Sequence, residues 1–191
     1  MDYVVKRMYP GGETLPNYHL LDADERLVMV ADQLVAQELD ARRQVRLAEP
    51  DGRLVATIDL PRETEAPETL EEAEYPVIQD YAVYGIFMPH RPGASVRADD
   101  SIYLTVEVEG ETWLVLPARE EPGCYSLYDE TPSGIHTIPD VTELPLPEPV
   151  GRICYTGESY GYLVDLPPDR LDNTEVFLLS LAFLLDRLVQ L

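Results

Sequence analysis

One segment near the end of the chain matches the pattern of a serine nucleophile. Residues Gly157-Glu158-Ser159-Tyr160-Gly161 fit G-x-S-x-G, in which a sharp turn from strand to helix exposes the serine hydroxyl. That chemistry also needs an acid and then a histidine later in the chain. All three histidines precede the segment, at positions 19, 90 and 136, and the residues after it have a strand pattern. We therefore expect a hairpin turn here. A hydrolase ranks third among the functions that we consider, after a protein-binding and a lipid-binding role.

Residue types that bind metals are present, but their spacing does not indicate a metal site. The only cysteines are Cys124 and Cys154, and two cysteines in a chain of this length predict neither a disulfide framework nor a zinc site. We expect reduced thiols, no metal centre and no cofactor. The acids of Asp22-Ala23-Asp24-Glu25 and Asp99-Asp100 could bind Ca²⁺, yet the glycine and distal glutamate of an EF-hand loop are missing. Turn formation and solvation explain them, and calcium stays open as an alternative.

Acidic residues are so numerous that pairs of carboxylates must occur by coincidence. The chain contains 36 of them. Glycosidase chemistry needs two carboxyl groups at a set separation across a cleft, and nothing in the sequence specifies such a pair. That class is neither excluded nor indicated.

The one concentration of basic residues lies in a predicted hairpin over residues 42–53. A guanidinium group can bind a phosphate through two parallel hydrogen bonds. Some of these side chains could share an outward face and hold an anionic lipid headgroup. The alternative, which we favour, is that they neutralise nearby glutamates. The candidate headgroup ligands are Arg42, Arg43, Arg46 and Arg53.

The charge balance excludes one large class of partners. With 14 basic residues, the chain of 191 residues has a formal net charge of -22. Such a field repels polyanions, so we exclude nucleic acid as a partner. The same field disfavours an anionic membrane surface, although local arginines could bind one headgroup. The start of the chain lacks the basic and apolar regions of an export signal, and we expect a cytoplasmic protein.

The elements that would position these residues are short strands joined by turns. Turn residues such as Glu49-Pro50-Asp51-Gly52 separate runs rich in β-branched and aromatic residues. The predicted strand pairs are 18–21 with 26–30, 45–47 with 54–58, 102–108 with 112–116, 124–128 with 134–138, and 152–155 with 160–166. Such regular hairpins are typical of a β-sandwich or a barrel.

Two segments interrupt this pattern, and we do not interpret either as a domain boundary. Residues 61–76 are rich in glutamate and predict a solvated loop, with a short helical turn possible from Pro67 onward. Residues 139–149 contain four prolines, which cannot donate to a β-ladder, and predict an extended connection. We expect a single domain over residues 1–191.

The chain ends in a helix predicted over residues 174–189. Asp172 precedes Glu175 by three residues, which resembles a capping box. From Val176 to Leu185 every residue is apolar except Ser180, so the helix must be enclosed on all sides. A membrane span would need about 20 apolar residues, and Asp186 ends this run too early. We therefore expect no transmembrane segment.

The order of elements resembles the tubby C-terminal-like superfamily, in particular its LURP-one-related and phospholipid-scramblase-like branches. The resemblance rests on the hairpin of residues 42–52, on the final strand with Pro167-Pro168-Asp169-Arg170-Leu171-Asp172, and on the apolar helix Phe177 to Arg187. It implies a mainly β fold, a closed antiparallel β-barrel enclosing the hydrophobic C-terminal α-helix. The resemblance also implies phosphoinositide binding through basic residues. None of the basic residues of this chain can be matched to a binding position of the family.

These patterns favour a binding or scaffold protein without enzymatic activity. Its partner, another protein, would contact loops such as 61–76 or 139–149, because loops on a rigid barrel carry specificity. The alternative is a peripheral membrane protein that binds an anionic lipid through the arginine hairpin.

Overall fold

Twelve antiparallel strands close into one barrel around the C-terminal helix, which confirms the predicted architecture. The computed structural model describes residues 2–9, 16–34, 43–61, 73–90, 103–118, 120–129, 147–157, 161–167 and 170–189. The strands are β1 (Asp2–Met8), β2 (Asn17–Leu21), β3 (Leu27–Leu34), β4 (Gln44–Ala48), β5 (Leu54–Asp59), β6 (Tyr75–Gln79), β7 (Ala82–His90), β8 (Tyr103–Val108), β9 (Glu111–Pro117), β10 (Cys124–Tyr128), β11 (Gly151–Gly157) and β12 (Gly161–Asp165). The helix is α1 (Thr174–Val189).

The strands follow one another around the barrel in chain order. Each strand pairs with the next, and β1 closes the barrel by pairing with β12, with Tyr3 opposite Val164. Along most strands, alternate side chains point inward and are buried, as Val45 and Leu47 on β4 illustrate. This two-residue period is the one that the sequence shows, because successive side chains of a strand point to opposite faces. On β9 and β10 four consecutive residues are buried, and Tyr103, Leu114, Leu116 and Tyr128 form a second, smaller cluster.

Helix α1 fills the interior of the barrel. Every residue from Val176 to Leu185 is at most 1% exposed. Aromatic side chains pack between the helix and the wall: the ring of Phe177 lies 5.3 Å from that of Trp113 and 5.9 Å from that of Phe87. Burying a large apolar side chain contributes about 1.5–3 kcal/mol. The helix is therefore a main source of the stability of the fold.

The first turn of α1 is held by side chains from the wall of the barrel. The carbonyl of Asn173 accepts the N–H of Phe177 at 3.2 Å and the hydroxyl of Tyr84 at 3.0 Å. The carboxylate of Glu175 accepts a hydrogen bond from the hydroxyl of Tyr3. Burial and this negative charge raise the pKa of Tyr3 to about 12. The helix start is thus tied to strands β1 and β7.

The last turn of α1 carries a buried ion pair. Asp186 pairs with Arg7 of β1, and their side chains are only 5% and 6% exposed. Asp186 also accepts a hydrogen bond of 2.5 Å from the hydroxyl of Tyr18. Burial, partly offset by Arg7, raises the pKa of Tyr18 to about 12. The guanidinium of Arg7 lies over the ring of Tyr155 at 5.9 Å. These contacts fix the depth and rotation of the helix in the barrel.

Four of the five predicted strand pairs are confirmed. The exception is the predicted pair of 124–128 with 134–138. Strand β10 was expected to pair with residues 134–138, which lie outside the described residues. It pairs instead with β9 on one side and with β11 on the other, where Tyr125 is opposite Ile153. Both edges of β10 are therefore occupied over these residues.

Strands β1, β6 and β7 are not predicted from the sequence. Tyr75 and Pro76, expected in the acidic loop, begin β6, and Tyr75 is buried. The hairpin between β6 and β7 turns at Asp80 and Tyr81, both with positive φ. The usual signal for such a turn is glycine after asparagine or aspartate, and it is missing here. Of the proline-rich connection, only 147–149 is described, and these residues are in neither helix nor strand.

The expectation of free thiols is wrong, because Cys124 and Cys154 form a disulfide. The two residues are directly opposite on β10 and β11, with their Cα atoms 4.0 Å apart. Their separation of 30 residues in the chain hides this pairing. The two cysteines meet because β10 pairs with β11. The predicted hairpins place these two strands in different pairs.

Within the described residues, no helix combines the length and the apolar character needed to cross a membrane.

We expect Leu181→Asp to abolish folding, because Leu181 is fully buried in α1 and an unpaired charge in an apolar core is strongly destabilising. Far-ultraviolet circular dichroism and size-exclusion chromatography would measure the loss. The matched control is Leu163→Asp, since Leu163 is 49% exposed on β12. A folded, soluble Leu181→Asp protein would contradict the enclosed helix.

The buried ion pair predicts a non-additive pair of substitutions. Asp186→Leu leaves Arg7 buried without its partner and should lower the free energy of unfolding by about 3–5 kcal/mol. The double substitution Arg7→Met with Asp186→Leu removes both charges and should recover most of that loss. Urea denaturation of the wild type, both single variants and the double variant gives the coupling energy. Equal losses in the single and double variants would contradict the pairing.

Candidate functional site

The interior of the barrel is occupied by the protein itself. One continuous cluster of buried side chains includes the inner faces of the strands and all sides of α1. Protein cores are packed at a density that leaves few spaces larger than a water molecule. A site for a partner must therefore lie on the outside of the wall or at one end of the barrel.

Three large apolar side chains are exposed together at the end of the barrel where α1 begins. Leu54 is 52% exposed, Val83 is 57% exposed and Tyr81 is fully exposed. They lie on neighbouring hairpins, since Ala56 of β5 is opposite Gln79 of β6. A single exposed apolar residue needs no explanation, but a group of them indicates an interaction surface. We call these three residues the rim patch.

The backbone of the turn holds Tyr81 in solvent. Asp80 and Tyr81 have φ angles of 49° and 64°, which is the left-handed region that residues other than glycine rarely adopt. Strain of this kind costs on the order of 1–3 kcal/mol and concentrates at functional sites. A turn with glycine would relieve the strain, and Glu25 and Glu109 are the other described residues besides glycine with positive φ.

A groove open to solvent continues from the rim patch along the surface of the paired strands β7 and β8. Val83, Tyr84, Gly85 and Ile86 form one side, and Glu107, Val108, Glu109 and Gly110 form the other. A bulge shifts the register between β6 and β7, so that Val77 is opposite Gly85 and Ile78 is opposite Val83. Bulges re-aim a side chain, and the extra residue, Tyr84, directs its hydroxyl to the start of α1.

Gly85 allows the close approach of the two strands that form this β7–β8 groove. A Cβ atom at this position would lie 3.0 Å from the carbonyl oxygen of Glu107. That distance is tighter than most Cβ contacts, so a larger residue would require a shift of a few tenths of an ångström between β7 and β8. The glycine thus maintains the shape of the groove.

Negative charge lines the groove, whereas exposed Arg53 lies next to Leu54 of the rim patch. Glu107 is exposed in the groove wall, and Glu109 accepts the backbone N–H of Asp172 at 3.2 Å. Burial and then the charges of Glu109, Asp172 and Glu175 raise the pKa of Tyr84, so its hydroxyl stays protonated as a donor. The combination of an apolar surface with an acidic border favours a ligand that is both apolar and basic.

Two of the four candidate arginines, Arg46 and Arg53, pair with acids. Arg46 projects from β4 with a terminal nitrogen 3.9 Å from a carboxylate oxygen of Asp32. Arg53 donates from Nε to Glu49 at 2.9 Å, and this hydrogen bond and the charge of Glu49 raise its pKa. Arg43 is partly buried just before β4, and Arg42 lies outside the described residues. For Arg53, the partner is a glutamate, as the favoured interpretation of the sequence expects.

The other sequence candidates have structural roles where they are described. A carboxylate oxygen of Asp22 accepts the backbone N–H groups of Asp24 and Arg26, each at 2.9 Å, which is the turn chemistry expected for this acidic segment. Residues 99–100 and Ser159 lie outside the described residues. Gly157 and Gly161 end β11 and begin β12, so a strand follows, and not the helix that a nucleophile elbow requires.

The rim patch was missed by the sequence analysis because two of its three residues, Tyr81 and Val83, belong to the unpredicted β6–β7 hairpin. The alternation of Val83, Gly85 and Phe87 with other residues was the available signal. The fold itself defines a class, a closed twelve-stranded antiparallel barrel with an internal helix. In comparisons with known proteins, neither a family model nor a curated protein matches the sequence.

Because Arg46 and Arg53 already pair with acids, we expect no salt-sensitive binding to anionic vesicles. Co-sedimentation with vesicles of phosphatidylserine and phosphatidylinositol bisphosphate, at low and physiological salt, measures it. Binding at low salt that disappears in Arg42→Glu with Arg43→Glu would contradict this expectation. Arg26→Glu with Arg170→Glu is the control, because it makes the same change of charge elsewhere.

Proposed function

We propose that this protein is a non-enzymatic binding protein of the cytoplasm, with a barrel that presents the rim patch and the β7–β8 groove to a partner protein. The observation that carries the proposal is the full exposure of Tyr81 in a strained turn, beside exposed Leu54 and Val83. Rigid elements position a binding surface more precisely than loops do. Tyrosine is also among the residues that contribute most to protein interfaces.

The partner we propose is a segment of another protein in which basic residues alternate with apolar ones. Apolar side chains would pack on Tyr81 and Val83, and basic side chains would meet the carboxylates of Glu107 and Glu109. The overall charge of -22 would accelerate the approach of such a segment. Opposite charges at the border would also give the interaction its specificity.

We further infer that the chain is a member of the tubby C-terminal-like superfamily. A closed barrel around an apolar C-terminal helix is the architecture that this resemblance implies, and it supports the inference. The proposal differs from the lipid-binding alternative in the location of the site. The arginine hairpin, with its acid partners at Asp32 and Glu49, offers an anionic headgroup less free positive charge than that alternative needs.

Selection of random peptides displayed on phage against the immobilised full chain tests the proposal. We expect enriched peptides to contain lysine or arginine interleaved with apolar residues. The double variant Tyr81→Ser with Val83→Ser should bind a synthetic copy of an enriched peptide at least about tenfold more weakly than the wild type. The reason is that Tyr81 and Val83 are the apolar anchors of the surface. The affinity of the peptide should also fall as the salt concentration rises.

The matched control is Leu163→Ser, an exposed leucine on the outer face of β12, which should leave the affinity unchanged. Enrichment of acidic peptides, or peptides that bind the Tyr81→Ser with Val83→Ser protein as tightly as the wild type, would refute the proposal.

A further inference from the structure

The two cysteines lie on the outer surface of the barrel next to a carboxylate. The neighbours of Cys124 and Cys154, Tyr125 and Ile153, point inward and are buried, so both cysteines point outward. The carboxylate of Glu121 belongs to the same group: its oxygen and the two sulfur atoms all lie within 4.8 Å of one another. Among the described residues, these three form a cluster with the donor atoms of a metal site.

The local backbone holds this cluster in place. The N–H of Cys124 donates to the carbonyl of Glu121 at 3.0 Å, and the N–H of Ala118 donates to the carbonyl of Cys124 at 2.8 Å. The short turn before β10 thus sets the position of Glu121 relative to the first cysteine. The ladder between β10 and β11 sets the second cysteine, through Tyr125 opposite Ile153.

We propose that, once the disulfide is reduced, Cys124, Cys154 and Glu121 bind a thiophilic divalent cation of the Zn²⁺ class. Zinc binds thiolate at about 2.3 Å and carboxylate at about 2.0–2.2 Å, in a tetrahedron whose fourth position can hold water. Neighbouring ligand atoms in such a tetrahedron are about 3.5–3.8 Å apart. The ligand atoms of the cluster lie within 4.8 Å of one another, so small side-chain rotations are the adjustment that the site requires.

The charges around the cluster favour a cation. The protein is strongly acidic overall, and thiolate ligands select zinc and other soft metals over Ca²⁺ and Mg²⁺. Arg152 donates from one terminal nitrogen to both oxygens of Glu121, at 3.2 Å each. This pair is about half exposed on both sides, where ion pairs are weak, so the metal can replace the arginine at the carboxylate.

The site and the disulfide exclude each other, because the same sulfur atoms form both. Two molecules of a cellular monothiol reduce the Cys124–Cys154 bond to two thiols and become one disulfide of that monothiol. Binding of Zn²⁺ then releases two protons as both cysteines become thiolates. Oxidation of the thiols by a small-molecule disulfide restores the protein disulfide and releases the metal. Metal binding would therefore report the redox state of the compartment.

Titration of the full chain with Co²⁺ tests the proposal, since Co²⁺ bound to thiolate absorbs in the near ultraviolet through sulfur-to-metal charge transfer. The chain is reduced with a dithiol, which is removed under nitrogen before Co²⁺ is added. We expect this absorption in reduced protein, its absence in oxidised protein, and its loss on addition of one equivalent of Zn²⁺. Cys154→Ser should abolish it.

The variant Glu121→Gln distinguishes a three-ligand metal site from metal binding by two adjacent thiols alone. It should weaken Co²⁺ binding by at least about tenfold, whereas Glu120→Gln, the neighbouring exposed acid, should leave it unchanged. Both changes are on the surface, and circular dichroism confirms that the variants fold. Absence of charge transfer in reduced wild type, or equal binding by Glu121→Gln and wild type, would overturn the proposal.

Discussion

The structure depends on filling the space inside a barrel of twelve strands. A barrel of eight strands is just wide enough for its own side chains to fill, and the diameter grows with the number of strands. Here the additional space holds a helix, whose diameter with side chains is about 10–12 Å. Ser180 is the only polar residue of α1 between Val176 and Leu185, because every direction from the helix axis meets the wall. Neither the wall nor the helix could bury its apolar surface without the other.

Polar contacts at the two ends of α1 give this apolar packing a unique arrangement. An apolar helix in an apolar barrel could slide or rotate at little cost, since hydrophobic contacts have no direction. Tyr84 and Tyr3 bond to the first turn, and Arg7 and Tyr18 bond to Asp186 in the last turns. Buried ion pairs add little net stability but can specify one geometry, and we infer that role for Arg7 and Asp186.

A filled barrel leaves its outside and its ends for function. The wall fixes the hairpin that carries Tyr81, the groove beside it, and the two opposed cysteines on β10 and β11. These surfaces differ in chemistry: the first is apolar with an acidic border, and the second has sulfur and carboxylate ligands. They also belong to different hairpins of the barrel. The proposed partner surface and the proposed metal site therefore lie on different parts of the wall.

The sequence by itself determined the local and periodic features of this protein. Alternating apolar residues predicted most hairpins, and the unbroken apolar run predicted helix 174–189 and its enclosure, because both patterns follow from the periods of strand and helix. Tertiary structure decided which distant residues meet. It opposed Cys124 to Cys154, paired Arg7 with Asp186, and formed a hairpin at Asp80 and Tyr81 without glycine. Contacts of this kind depend on strand register and on packing across the barrel, and no local pattern in the chain encodes them.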